Sequence, residues 1–352
     1  MKGASKARGR KGVVTMKDVA RAAGVSQSTV SRILNDAPLR IPVSRETRER
    51  VHAVAAELGY RPHPFARALR GAPTMLLGAV VRDITDIFFG TAIEALSIEA
   101  RNRGYSVVLG HASQHADEAL ALTAMLEARQ CDAIILLGDF TDEPRLIGDV
   151  RDAPVPVVAL WHGSHLDGFP TVTVDNAFGI HAALSHLVEL GHERIAFVGG
   201  ESLGDIRERQ AAYEDFLSER GLPRPARYVQ RVNNTPPGGG EAFAALAALS
   251  KPPTAIVAAT DVLAIGVVYA ARSSGLTIPD DLSVVGFDDI PLAASTYPGL
   301  TTVRMPVAAM VRAAVERAVG GGSGEPRAAA GSGQSFQPVL IVRRSTGPSP
   351  GR

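Results

Sequence analysis

Residues 14–35 read VTMKDVARAAGVSQSTVSRILN, and their spacing decides the fold of the N-terminal end. Thr15, followed three positions on by Asp18, forms a capping pair that opens a helix through Ala23. Gly24 then stands where a chain leaving a helix needs a positive φ. Ser26 caps the next helix. Within it Val30, Ile33 and Leu34 fall on one face at about 100° per residue, Ser28 and Arg32 lie opposite, and Gln27 sits at the edge. A polar face is left to read something. Counting Met16 as the first position, Ala20, Gly24 and Val30 take the fifth, ninth and fifteenth places. A helix-turn-helix needs a small residue at the first of these, where its helices cross, a glycine at the turn, and an apolar residue where the second helix returns to the core. The bland alternative is a generic small helical bundle.

Outward from this stretch, a third helix begins at Ser44, carries Val51, Val54, Ala55 and Leu58 on its inner face, and ends before Gly59. Residues 61–71, RPHPFARALRG, leave six positions between Pro64 and Gly71 for a helix. So short a helix is marginal alone in water, which makes residues 61–73 a candidate hinge that orders on binding. On the other side, residues 1–14 form a basic flexible tail, either solvated or touching phosphates.

Charge follows the same division. Residues 1–70 hold 15 Lys/Arg against 5 Asp/Glu, leaving 22 against 31 for the rest of the chain, although the whole chain carries only +1. A basic head on an acidic body points to a polyanion partner for the head alone. The 352 residues, 45% hydrophobic, support two or three domains with sizeable cores. Cys131 is the single cysteine, which excludes an internal disulfide, and neither a signal-peptide apolar stretch nor a run long enough to span a bilayer is seen. A cytoplasmic protein with no membrane partner is expected.

From Met75 short apolar runs alternate with amphipathic helices: MLLGAVV, YSVVLG, DAIILLG, PVVAL, TVTV, RIAFVGG, TAIVAA and LSVVGFD. Helices are expected over 90–103, 117–129, 142–151, 177–190, 206–220, 239–250 and 261–274, with a weak strand near 228–232. Fully apolar strands alternating with helices mean parallel sheets covered on both faces, and this length holds two of them. The fold class is thus an all-α helix-turn-helix head on an α/β core of two parallel sheets. Residues 320–335 are glycine-rich and low in complexity, the last strand is QPVLIV, and 348–352 form a flexible tail.

Catalysis finds little support. No G-x-S-x-G, H-E-x-x-H or P-loop occurs, and Gly199-Gly200 and Gly238 to Gly240 read as turns. His181, His186 and His192 are spaced by five and six, unlike metal ligands on one helix face, and read as surface or satisfied histidines. Neither a metal nor a cofactor is expected.

The order of motifs is specific. The stretch 14–35, then VSRETRERVHAVAAELGYRPHPFARALRG, resembles the head of the LacI family of bacterial transcription regulators, and VDNAFG, HLVELGHERIAFVGG, AATDVLAIGV, LSVVGFDDIPLAA, PGLTTVRMP and IVRRST resemble that family's ligand-binding core. The resemblance implies a homodimeric repressor that binds a double-stranded, pseudo-palindromic operator through residues 15–60. It implies a periplasmic-binding-protein-like core over 74–347, with a first lobe of about 74–175 and 304–333 and a second of about 176–303 and 334–347. It also implies that Ser26 to Asn35 lies in the major groove, with Gln27, Ser28 and Arg32 at base edges. Arg bonds guanine twice and Gln pairs with adenine, each good pair worth ~1–3 kcal/mol of discrimination. Thr15, Ser26, Thr29 and Ser31 are candidate phosphate ligands. Leu69 matches the family's hinge leucine, a minor-groove wedge flanked by Arg67 and Arg70 on phosphate, its alternative being a contact with the body. The connection DAPLRIP is longer than the family pattern.

For the effector, the resemblance places Asp83, Thr85 and Phe88 on the first lobe of a cleft and Arg209, Thr260, Asp261 and Asp288 on the second, with Met305 on a crossing strand. Such a set suits a sugar or polyol, whose hydroxyls need charged partners. Arg209 and Asp288 read equally as a structural ion pair. Trp161 and His162 replace an Asp-Arg pair of many relatives, and Thr260 replaces an Asn, so the ligand is expected to be less sugar-like. Trp161 offers a flat surface for a ring or packs the lobe. The rival reading is a transport-type solute-binding protein without regulatory function.

Overall fold

A computed structural model describes residues 14–34, 43–60, 73–112, 116–128, 130–140, 148, 153–161, 170–200, 204–320 and 333–350. The chain forms two compact units, one through Thr74 and one from Met75.

The first unit holds α1 (Met16–Ala23), α2 (Gln27–Leu34) and α3 (Arg45–Glu57). The Asp18 carboxylate accepts from the Thr15 backbone N–H at 2.9 Å and from its hydroxyl at 2.6 Å, so the expected capping pair forms. Gly24 takes φ 66° and the Val25 N–H returns to the Ala20 carbonyl, closing α1 at the turn. Ser26 Oγ accepts from the Thr29 N–H at 3.1 Å, and Ser44 Oγ accepts from the Thr47 N–H at 3.2 Å, capping α2 and α3. Val19, Ala20, Ala23, Val30, Ile33, Val51 and Ala55 are buried together, which is why so small a bundle keeps one arrangement. Leu58 departs from the expected inner face. It lies just past α3 and is 37% exposed.

The second unit contains two six-stranded sheets. The first uses β1 (Leu76–Val81), β2 (Ser106–His111), β3 (Ala133–Leu137), β4 (Val157–Leu160), β5 (Thr171–Val174) and β11 (Gln334–Phe336), in the order β11-β5-β4-β3-β1-β2, every neighbour parallel. The second uses β6 (Ile195–Gly199), β7 (Val229–Arg231), β8 (Ala255–Ala258), β9 (Ser283–Asp288), β10 (Thr301–Arg304) and β12 (Val339–Ile341), in the order β12-β10-β9-β8-β6-β7. Here β12 runs antiparallel to β10 and the other neighbours are parallel. Strands β3, β4, β6, β8 and β9 are buried along their whole length, the signature of a sheet covered on both faces.

Helices α4 (Ile87–Asn102) and α5 (Ala116–Ala128) cover the first sheet, and α6 (Asn176–Glu189), α7 (Gly204–Glu219), α8 (Pro236–Ala247) and α9 (Asp261–Ser273) cover the second. The short α10 (Pro291–Ser295) follows β9, and α11 (Val307–Val319) leaves β10 to pack on β3 and β4. Gly238 to Gly240 lie inside α8 and not in a turn. A side chain at Gly239 or Gly266 would overlap the Leu263 or Pro236 carbonyl, so these glycines let α8 and α9 touch along their backbones. The chain crosses between lobes after Val174, after Arg304, and at Gln337-Pro338. The last crossing falls later than expected because Gln334–Phe336 pairs with β5 of the first sheet.

The expected flexible C-terminal tail is corrected in part. The Gly347 N–H donates to Ser283 Oγ at 3.0 Å and the Ser349 N–H donates to the Leu190 carbonyl at 2.9 Å, which ties this segment to the second lobe. His192 lies buried beneath it. Its Nδ1 pairs with Thr254 Oγ1 and its Nε2 lies 3.0 Å from both Ser283 Oγ and the Gly347 carbonyl, so this histidine is satisfied internally. The basic tail through Val13, the DAPLRIP connection, the hinge positions Arg67, Leu69 and Arg70, most of the helix expected at 142–151, and most of 320–335 lie outside the described residues. Among those described, no helix is long and apolar enough to cross a membrane.

Candidate functional site

Two places carry chemistry, one in each unit. In the head, α2 turns Val30 and Ile33 inward and leaves Gln27 and Ser28 exposed, with Arg32 half-buried on the same helix. Ser26 Oγ lies 2.8 Å from both Ser28 Oγ and Thr29 Oγ1, so three hydroxyls cluster at the start of α2, where backbone N–H groups favour an anion. Thr15 is exposed at the start of α1. Ser31 does not belong with them. It is 5% exposed, because its place on α2 faces the packed interior.

In the core, the carboxyl ends of both sheets open onto one cleft of about 560 Å³. Parallel strands place their following loops at the same edge, so residues distant in sequence converge there. The turn after β1 supplies Asp83, Thr85 and Asp86, α4 supplies Phe88 and Phe89, and Trp161 follows β4. The second lobe supplies Asp205 and Arg209 from α7, Asn234 after β7, Thr260 after β8 and Asp288 at the end of β9. Met305 lines the cleft from the crossing after β10.

Arg209 is its buried centre. Its Nε donates to Asn176 Oδ1 at 2.8 Å, its Nη1 donates to the Ala259 carbonyl at 2.6 Å, and its guanidinium stacks 3.7 Å over the Phe287 ring. Asp205 lies 3.3 Å and Asp288 3.5 Å from its nitrogens. One arginine thus ties the lobe together and also lines the cavity. Burial pushes the Asp288 carboxyl well above the usual carboxylate range, and the neighbouring Asp261, Asp86 and Asp205 add to this against the pull of Arg209. Asp288 also takes φ 111°, and Trp161 takes φ 58°, conformations that cost energy in an L residue and concentrate at binding sites.

The first lobe contributes an aromatic wall. Phe88 meets Trp161 edge-on with centroids 5.0 Å apart, and Phe89 lies 5.5 Å from Phe88. The Trp161 indole N–H has no acceptor among the described residues. Hydrogen bonds between described residues join the lobes across the cleft. Asn234 Nδ2 donates to Asp86 Oδ2 at 3.3 Å, and the Gly204 N–H donates to the Asp139 carboxylate. Asp83 Oδ1 accepts from the N–H and hydroxyl of Thr85, which sets the turn after β1.

Asp261 was expected in the cleft and is not there. It is fully buried, with Oδ1 accepting from the Thr302 hydroxyl and Oδ2 from the Ile290 N–H at 2.8 Å, and burial raises its carboxyl to about 7. It ties α9 to β10 and to the segment after β9. His162 lies outside the described residues. Phe89, Asp86, Asp139, Asp205 and Asn234 were missed, although each follows or flanks the carboxyl end of a parallel strand, the signal that could have marked them.

Comparison with known proteins finds similarity in both units. Residues 15–63 match the family model described as bacterial regulatory proteins, lacI family, and residues 184–346 match the periplasmic binding protein-like domain. The chain is 34% identical over 302 residues to the HTH-type transcriptional repressor CytR of Escherichia coli (strain K12), covering 86% of this chain and 87% of that one. Its fold is similar to that of the lac repressor dimer bound to operator and the anti-inducer ONPF, with a TM-score of 0.85, 28% identity, and 95% of this chain and 99% of that chain covered. It is also similar to the transcriptional regulator CelR in complex with cellobiose, at a TM-score of 0.66 and 27% identity over 94% of this chain and 99% of that one.

Proposed function

The chain belongs to the lacI family of bacterial regulatory proteins, and from that premise we propose which of its residues read DNA, which hold the effector, and how the two events are linked. It is a DNA-binding transcriptional regulator with an effector-binding core, and it is not an enzyme. Gln27, Ser28 and Arg32 read base edges in the major groove, and Thr15, Ser26 and Thr29 hold phosphates. The observation that carries this reading is the exposure of Gln27 and Ser28 on a helix whose opposite face, Val30 and Ile33, is locked into a packed core. A rigid support under a polar face is what base readout requires. Arg67 and Arg70 anchor to phosphate around the operator centre, and Leu69 enters the minor groove there.

The working form is a homodimer on a pseudo-palindrome, as the lac repressor is a dimer on its operator. The effector lies in the cleft against Asp83, Thr85, Phe88, Trp161, Arg209, Thr260, Asp288 and Met305. CelR binds cellobiose, and a sugar-like effector fits the same mixture of aromatic wall, carboxylates and guanidinium here. Repression is then a linkage, in which DNA and effector each change the other's affinity by the same factor.

Selection of random duplex DNA by the purified protein at about physiological salt, repeated with a panel of sugars and nucleobases, tests this reading. One palindrome, enriched or lost with one compound, is expected. Salt-sensitive binding with no sequence enrichment would overturn it.

A further inference from the structure

We infer that the ligand of the cleft carries a positively charged nitrogen, seated between the Asp86 carboxylate and the aromatic wall of Phe88 and Trp161. This rests on the cleft being the effector site and adds the chemical class of the ligand.

The argument is one of charge placement. Among the described residues, five aspartates line the cavity, namely Asp83, Asp86, Asp139, Asp205 and Asp288, against two cations, Arg82 and Arg209. Arg209 is already shared. Asp205 and Asp288 flank it at 3.3 and 3.5 Å, so one positive charge serves two carboxylates. On the opposite wall Asp86 receives only neutral donors, the Phe88 N–H at 3.0 Å and the Asn234 amide at 3.3 Å, and it forms no ion pair among the described residues. Burial, with Asp83 and Asp205 adding like charge, pushes its carboxyl upward against the Phe88 N–H and the more distant pull of Arg209.

A neutral polyol would add hydroxyl donors to this site and leave the like-charge crowding in place. A protonated amine removes it, and does so beside rings suited to a cation. Phe88, Phe89 and Trp161 meet edge to face with centroids 5.0 to 6.4 Å apart, and the negative faces of aromatic rings attract cations within about 6 Å. Trp161 adds a second requirement. It is only 6% exposed, it lines the cleft, and its indole N–H lacks an acceptor among the described residues. A ligand oxygen supplies one. Charged nitrogen and acceptor oxygen together describe an amino sugar or a cyclic aminopolyol, and about 560 Å³ holds a molecule of that size.

The test is calorimetric titration of the full-length protein with matched pairs that differ only at the nitrogen: glucosamine, galactosamine and mannosamine, each against its N-acetyl form and its parent sugar, and 1-deoxynojirimycin against glucose. At least one amine is expected to bind about tenfold tighter than its neutral partners, with the preference weakening as salt is raised. Asp86→Asn keeps an acceptor for the Phe88 N–H and should reduce that ratio to near one. Neutral members binding as tightly as the amines, or a ratio that survives Asp86→Asn, would overturn the charge assignment and leave the cleft as effector site intact. Binding by no member, when the DNA selection recovers an effector whose affinity is untouched by changes in the cleft, would overturn the cleft reading itself. If Asp86→Asn does not fold, the amine-to-neutral ratio and its salt dependence in the wild-type protein decide alone.

Discussion

Asn234 on the second lobe donates through Nδ2 to Asp86 Oδ2 on the first at 3.3 Å, while its own Oδ1 accepts from the Thr260 hydroxyl at 2.6 Å. Thr260 Oγ1 in turn accepts from the Leu263 N–H and caps α9. A chain of hydrogen bonds thus runs from the start of α9 through Asn234 to the turn after β1, spanning the cleft. Asn234→Ala removes the second-lobe side chain that carries this chain of hydrogen bonds across to Asp86. The lobes should open, read as a larger radius of gyration by small-angle scattering, and the effector should bind about three- to tenfold more weakly, the worth of one ordinary hydrogen bond. An unchanged scattering profile would show that the bond does not hold the lobes.

Arg209 gives a larger effect because it is buried and charged. Replacing it with Ala leaves Asp205, Asp288 and Asn176 facing the space it occupied, and breaking a buried pair from one side costs about 3–5 kcal/mol. Chemical denaturation should show that loss together with loss of effector binding. Arg209→Lys should recover little, since an ammonium cannot serve Asn176, Ala259 and two carboxylates with one planar fork. Asp288→Asn should cost less than Arg209→Ala, because burial already pushes that carboxyl toward its neutral form. Equal costs for the two would argue against this ordering.

The contrast between Gly24, Asp261 and Asn234 shows what a sequence can and cannot make legible. Gly24 and Val30 follow local rules, a left-handed turn and a 3.6-residue period, and the head follows from them. The parallel strands were equally readable, being continuous apolar runs. Asp261 sits at the right edge of the right sheet, yet its carboxylate turns inward to Thr302 and to the Ile290 N–H, partners 41 and 29 positions away that no periodicity reveals. Asn234 and Asp86 look like ordinary loop residues. Only the convergence of strand ends makes one the partner of the other.

Asp261 also gives a pH dependence of fixed sign. Its carboxyl stands at about 7 in the folded protein and near 4 in the unfolded chain, so the folded state binds the proton more tightly. Its contribution to stability is fully present below about pH 4, declines as pH rises through the interval, and is gone above about pH 7. Asp261→Asn keeps an acceptor for the Ile290 N–H and offers its amide to Thr302, and it carries no charge to bury. The urea midpoint of this variant should be flatter between pH 5 and 8 than that of the wild type, and the variant should be relatively more stable at pH 8. Parallel pH profiles for the two proteins would refute the assignment.

Arg32 tests the head separately from the core. It lies on α2 beyond the exposed Gln27 and Ser28, and its guanidinium is the one group on that helix able to bond guanine O6 and N7 together. Arg32→Ala removes about 1–3 kcal/mol of discrimination at one base pair per half-site while leaving the phosphate contacts in place. Competition binding should show the preferred operator falling toward the affinity of random duplex. Effector affinity should stay unchanged, and the salt dependence of non-specific binding should be lowered by at most about one counterion. Leu58→Ala, at an exposed position past the end of α3, serves as the control for generic perturbation of the head. An operator preference that survives Arg32→Ala would move base reading to Gln27 and Ser28 alone, and a uniform loss on specific and random DNA would make Arg32 a phosphate ligand.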